Sequence, residues 1–358
     1  MKINKIFYLL LMLAIPYIGI SQQIPLYSQY IWNAYLINPA IGGAENFLDI
    51  KAGYRTQWIG LEGSPKTFFL TANTQLGKKV LNREDKDVII REGKFKSKSS
   101  KVAGVLGYKT PEYPNIPRNY KVRPHHGVGI QAMVDRIGPF STVAVYGNYA
   151  YHLPITSKIY ASAGAFIGVK QYKLDASRVT LDNPDDQLVG TGGDLNGMTP
   201  DGMAGLMLYS DRFYVGLSAS QIFNANFKLR KKAGQYVSAE AQLEPHFFAT
   251  GGYRLRITRE FAFAPSTLVR IYPGTDLSVD LTGKINYLDL LWGGVSYRAG
   301  EAVVFLAGIS YGHMFDFGYS YDMSVSKRKK FPSVVSHEIM VGYRMVNNDA
   351  RGKPSFVW

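Results

Sequence analysis

Residues 314–324 read Met-Phe-Asp-Phe-Gly-Tyr-Ser-Tyr-Asp-Met-Ser. Phe315, Phe317, Tyr319, Tyr321 and Met323 fall on one parity, and Asp316, Gly318, Ser320, Asp322 and Ser324 on the other. A strand points successive side chains to opposite faces, so this segment has one large apolar face and one small or acidic face. In a water-soluble sandwich the aromatic face would be core. Here the same split recurs along most of the chain, with no clean amphipathic helix beside it. The pattern predicts a sheet closed on itself, with lipid outside and a polar lumen inside.

The bulk numbers agree with that reading. The chain has 358 residues, room for one large all-β domain or two ordinary ones. Glycine (36) and tyrosine (25) are abundant, as strands, tight turns and interfacial aromatic girdles require. No segment after the first twenty-one residues stays apolar for the ~18 residues that a spanning helix needs. A barrel escapes that test because only alternate residues are apolar. The lack of cysteine excludes disulfides, a cysteine-ligated metal and a lipoprotein anchor.

Residues 1–21 read as a secretory signal peptide, with Lys2 and Lys5, an apolar run from Ile6 to Ile15 and small residues at Gly19-Ile20-Ser21. The mature chain is then expected to start at Gln22. Export, β-rich patterning and no spanning helix together point to the bacterial outer membrane.

From Gln22 to Asn46 an aromatic segment places Tyr27, Tyr30, Ile31, Tyr35 and Leu36 at roughly helical spacing before Asn38-Pro39 and Gly42-Gly43 break it. It is expected to plug or brace the barrel at its periplasmic end. Fourteen strands are then expected over 47–344, at 47–58, 66–76, 127–136, 140–152, 158–172, 201–209, 212–223, 246–257, 261–272, 276–285, 289–298, 302–310, 313–325 and 334–344. An even count suits a single-chain barrel with both ends in the periplasm. Pro265 lacks a donor and predicts a bulge in its strand. Residues 173–199, 224–244 and 326–333 read as outward loops, and 345–358 as a periplasmic tail.

Charge is uneven. The net charge is +14, and residues 77–124 carry thirteen lysines and arginines against five acids, a net +8. Parity places this insert in the periplasm, as a solvated loop or a dock for an acidic partner or anionic headgroups. Nucleic acid does not suit an exported chain.

Several stretches stand in an order that resembles one family: Pro25-Leu26-Tyr27-Ser28-Gln29-Tyr30 with Asn38-Pro39-Ala40, Arg55-Thr56-Gln57-Trp58-Ile59-Gly60, Gly63-Ser64-Pro65-Lys66-Thr67, Asp135-Arg136-Ile137-Gly138-Pro139, Phe213 to Ser218, Gly318 to Asp322 and Ser336-His337-Glu338-Ile339-Met340. The chain resembles the PorP/SprF family of the type IX secretion system of Bacteroidota over nearly its whole mature length. Only the 77–124 insert departs from the family pattern. The resemblance implies a non-enzymatic outer-membrane barrel that helps secrete and anchor a particular large surface protein, such as a gliding adhesin. The partner it implies is the C-terminal signal domain of that cargo. On the periplasmic side it implies ring or peptidoglycan-binding components of the system.

No residue pattern argues for catalysis, a cofactor or a metal. His125-His126, His313 and His337-Glu338 are not ligand sets, because neighbours on a strand face opposite ways. Ser336, His337 and Asp316 lack the glycine elbow of a hydrolase triad. Lys51, Arg55, Asp280, Arg298, Asp316, Asp322, Glu338 and Arg344 are expected to form a lumenal charge network, with Arg254 beside it. Partner contacts are expected at the loops: Leu61 and Glu62 at the first tip, Asp182, Asp185 and Asp186 in the 173–199 loop, and Lys228, Arg230, Lys231 and Lys232 in the next. Two rivals remain: a passive channel for small or hydrophobic solutes, and an outer-membrane hydrolase working through His337.

Overall fold

The protein is described by a computed structural model, covering residues 25–45, 47–76, 124–156, 158–179, 195–231, 236–258, 260–272, 277–311, 314–325 and 334–346. The expected signal peptide, almost all of the basic insert, the 326–333 loop and the tail from 347 onward lie outside the described residues.

Alternation makes these strands, and alternation closes them. The described residues form one sheet of strands β1 (Phe47–Ile59), β2 (Lys66–Leu76), β3 (His125–Ile137), β4 (Phe140–Pro154), β5 (Tyr160–Leu174), β6 (Leu195–Tyr209), β7 (Phe213–Ser220), β8 (Asn226–Lys231), β9 (Tyr236–Gln242), β10 (His246–Tyr253), β11 (Leu255–Arg256), β12 (Phe261–Ile271), β13 (Ser278–Tyr287), β14 (Leu291–Arg298), β15 (Ala302–Tyr311), β16 (Phe315–Ser324) and β17 (Val335–Val346). β11 continues β10 along the same partner, and β8 with β9 is a separate hairpin. The remaining fourteen form the wall. β17 pairs with β1 from Phe47↔Val346 to Ile59↔Val335, so the wall has no free edge.

Side chains divide as the sequence predicted. On β16, Phe315, Phe317, Tyr319 and Met323 are exposed on the outer surface, while Asp316, Gly318, Ser320 and Asp322 are buried in the lumen. Two aromatic belts ring the outside. Tyr149, Tyr151, Tyr253, Phe261, Tyr311 and Phe315 sit near the end where β1 begins and β17 finishes, here the terminal end. Trp58, Phe68, Phe247 and Tyr297 ring the opposite, loop end. Amphipathic rings settle at both membrane surfaces, and aliphatic residues such as Val145, Ile167 and Val295 fill the band between.

The core of the protein is its own chain. Residues 25–45 run inside the wall from the loop-end half towards the terminal end, so they are not confined to the terminal end as expected. Nor are they an α-helix. They are turns and two short 3-10 helices, Ala34–Leu36 and Pro39–Ile41. Tyr27 packs edge-on to Phe69 at 5.2 Å, Trp32 lies against Trp292 at 5.9 Å, and Tyr35 meets Phe166 at 5.0 Å between ring centres.

Three further expectations change. β6 begins at Leu195 rather than residue 201, because residues 195–200 pair in register with β5, from Leu195 with Leu174 to Pro200 with Val169, and the first two also pair with β8. The stretch 224–244, expected as a loop, contains the β8–β9 hairpin. No bulge occurs at Pro265. It pairs in register with Gly283 on one side, and on the other the neighbouring strand breaks between β10 and β11. A proline offers no N–H to that neighbour, so the ladder skips a step instead of slipping.

Candidate functional site

A buried segment without regular structure must find partners for its backbone. Here the wall supplies them. Ser218 Oγ donates to the Ile37 carbonyl at 2.5 Å, Asn148 Nδ2 to that of Pro39 at 3.1 Å, and Ser162 Oγ to that of Ala40 at 2.8 Å. His152 Nε2 meets the Gly42 carbonyl at 2.8 Å, and its Nδ1 lies 2.7 Å from the Tyr209 hydroxyl. A carbonyl only accepts, so the Nε2–H tautomer donates to Gly42 while Tyr209 donates to Nδ1. Glycines let the segment approach. A Cβ at Gly164 would strike the Pro39 backbone, and one at Gly127 the Gly42 backbone.

At the segment's other end, the Ser28 and Gln29 N–H groups donate to Glu338 at 2.8 and 3.3 Å, and Ser28 Oγ donates to Asp322 at 2.6 Å. Arg55 donates to Asp322 at 2.7 Å and to Glu338 at 3.0 Å. Arg298 reaches Asp322 at 3.9 Å and Asp280 at 3.2 Å, and Asp280 also holds Arg270 by two bonds of 2.8 Å. This string of three arginines and three carboxylates lies buried across six strands. Balanced charge and bidentate geometry offset the cost of removing them from water.

The structure thus brings together Arg55, Asp280, Arg298, Asp322 and Glu338 from the expected lumenal set. It sets the others apart: Lys51 pairs with Asp49, Arg344 with Asp316, and Arg254 with Asp289. Sequence reasoning did not reach Arg270, Ser28 or the Lys170–Asp201 pair at 2.9 Å, where Asp201 also accepts from Tyr146 Oη at 2.7 Å. Arg270 and Asp201 do fall on the lumenal parity of their strands. Nothing in the sequence marks Ser28, whose role depends on where its segment lies.

Of the expected partner contacts, Leu61 is half-buried and Glu62 exposed at the loop-end tip, which is tied to the next tip by Gly138 N donating to the Gly63 carbonyl at 2.8 Å. Lys228, Arg230 and Lys231 lie on β8. Asp182, Asp185, Asp186 and Lys232 lie outside the described residues. Nearby, Asp175 caps the turn 176–178 and accepts from Ser177 N at 3.2 Å and Ser177 Oγ at 2.6 Å. Those bonds hold its carboxyl below the ordinary aspartate range.

The residues weighed for chemistry do not converge. Ser336 Oγ accepts from Trp58 N at 3.1 Å, His337 faces outward against Tyr319, and Asp316 is bound by Arg344 and Ser310. His125 is buried and His126 exposed, on opposite faces of the wall. His313 lies outside the described residues. Among the described residues no cluster of three metal-type ligands occurs.

Beside the segment, at the loop end, a cavity of about 460 Å³ remains. Ile137, Phe140 and Lys173 stand at its mouth, and Leu36, Ile37 and Phe166 at its floor.

A closed fourteen-strand wall, two aromatic belts, an apolar band and an ion-paired lumen define an outer-membrane β-barrel, here with its own chain packed inside. The family described as type IX secretion system membrane protein PorP/SprF matches residues 20–343, and the chain belongs to that family. Its location is the outer membrane. Family and fold are not those of a known enzyme class, and the family implies contact with other secretion components. No curated relative matches the chain. Solved structures of similar fold include the deltaS2S3 mutant of the monoaromatic hydrocarbon channel TodX, at 11% identity and TM-score 0.45 over 88% of this chain and 94% of that one. The Ralstonia pickettii toluene transporter TbuX is similar at 10% identity and TM-score 0.45, over 87% and 93%. The Acinetobacter baumannii outer-membrane protein Omp33 is similar at 10% and 0.39, over 84% and 99%.

Proposed function

We propose that this barrel is a non-enzymatic anchor and delivery factor that helps secrete one large surface protein, such as a gliding adhesin, and holds it by its C-terminal signal domain. The observation that carries the reading is the filled lumen. Residues 25–45 bond to the wall along their length, which suits a rigid platform better than an open pore. Membership of the PorP/SprF family supports the secretion role. The loop end, with Leu61 and Glu62 at the tied tip and the β8–β9 hairpin extending β6, is the surface offered to cargo. Asp182, Asp185, Asp186, Lys228, Arg230, Lys231 and Lys232 belong to the same loops. The terminal end then faces the periplasm, where the 77–124 insert and the 345–358 tail meet ring or peptidoglycan-binding components.

Purification of the barrel from its own membranes, followed by mass spectrometry, tests this. One very large surface protein should co-purify, and deleting the gene should strip that protein from the cell surface while other type IX cargo is still exported. Loss of all type IX cargo would overturn the specific role.

A second reading, a passive channel for small or hydrophobic solutes, draws on the loop-end cavity. Solute flux into liposomes carrying the purified barrel would favour it.

A further inference from the structure

The loop-end cavity is graded. Its floor is apolar, formed by Leu36, Ile37, Phe166 and Leu268, and its charges lie nearer the mouth. Most of those charges are already satisfied. Lys170 pairs with Asp201 at 2.9 Å, and Arg270 is held by Asp280. Lys173 is exposed at the rim. Asp135 differs. It is 5% exposed, accepts from the Thr67 hydroxyl at 2.6 Å and has no ion pair among the described residues.

A buried carboxylate without a counter-charge is costly unless a cation or further donors reach it. Asp135 lines the cavity, so a cation bound there would supply that counter-charge. We propose that this cavity binds a cationic amphiphile: an alkyl or aryl ammonium whose apolar body lies against Leu36, Phe166 and Leu268 and whose ammonium donates to Asp135. The polarity gradient sets the direction, tail first and head towards the mouth. An anionic head at the same depth would face Asp135 instead of pairing with it. The site does not depend on the cargo role or on passage through the lumen, so it stands or falls separately from both.

The test uses the full-length folded barrel in detergent and three water-soluble probes of equal chain length: octylammonium, octanoate and octanol. Saturation-transfer NMR and calorimetry read binding. Octylammonium should bind most tightly of the three. Asp135→Asn keeps a partner for Thr67 and removes the charge, so it should weaken octylammonium roughly ten-fold or more and leave octanol unchanged. Asp135→Glu should retain the preference. Octanoate binding as tightly as octylammonium, or undiminished octylammonium binding by Asp135→Asn, would overturn the proposal. The comparison of probes on the unaltered protein decides the matter even if a variant fails to fold.

Discussion

Arg55 on the first strand and Glu338 on the last are direct register partners, and they form a 3.0 Å ion pair on the lumenal side of the seam that closes the barrel. Both are fully buried. Removing one partner of such a pair strands the other charge, at a cost of about 3–5 kcal/mol. Arg55→Ala should therefore lower the unfolding midpoint of the barrel sharply, read as loss of the compact form on unboiled gels at lower temperature. Replacing Arg55, Asp322 and Glu338 together with apolar residues should cost less than Arg55→Ala alone. A neutral Arg55→Ala would remove the seam pair from the account of stability.

The inner segment is held by glycines that leave room for it. Gly164→Val and Gly127→Val would drive a side chain into the backbone at Pro39 and Gly42. The strain, about 1–3 kcal/mol each, should loosen the segment without opening the wall. Planar-bilayer recordings should show conductance in the variants well above that of the parent. Unchanged conductance with an intact barrel would mean that the segment does not set the barrier.

Val295 lies midway along β14 on the lipid face and is exposed there. Val295→Arg should destabilise the barrel by about 2–4 kcal/mol in urea titrations of vesicle-inserted protein. Glu62→Arg at the exposed tip should stay within about 0.5 kcal/mol. Equal effects would contradict the placement of the membrane.

Asp175 offers a pH-dependent readout outside the membrane. Its bonds to Ser177 hold its carboxyl below the ordinary range. A depressed carboxylate contributes order above its unfolded value, and that order fades as pH falls through the folded value. Exchange protection of the Ser177 amide should hold at neutral pH, fall below about pH 4 and be absent in Asp175→Ala. Protection that is flat with pH would show that the cap is not made in solution.

Much of the wall was legible in the sequence because lipid and lumen impose a period of two on every strand. Phe315 and Asp316 report their faces without knowledge of any partner. The string from Glu338 to Arg270 was only half legible. Parity puts a charge inside but does not say which neighbour it will meet, so Lys51 and Arg344 were grouped with Arg55 although they pair elsewhere. Ser28 and the path of residues 25–45 were illegible. Many of their partners are wall side chains more than a hundred residues distant, and a segment fastened by Ser162, Asn148, His152 and Ser218 has no need of a periodic pattern. Pro265 shows the reverse case, a local signal absorbed by a break in the neighbouring strand.

Ser28 touches both halves of the joint between Arg55, Asp322 and Glu338. The last weld of the cylinder is therefore a three-part fitting, and one part is the chain that lies within. A sheet that curled shut around an empty interior would lack a piece of its own lock. In the finished barrel, hoop and lining therefore brace one another at the same joint.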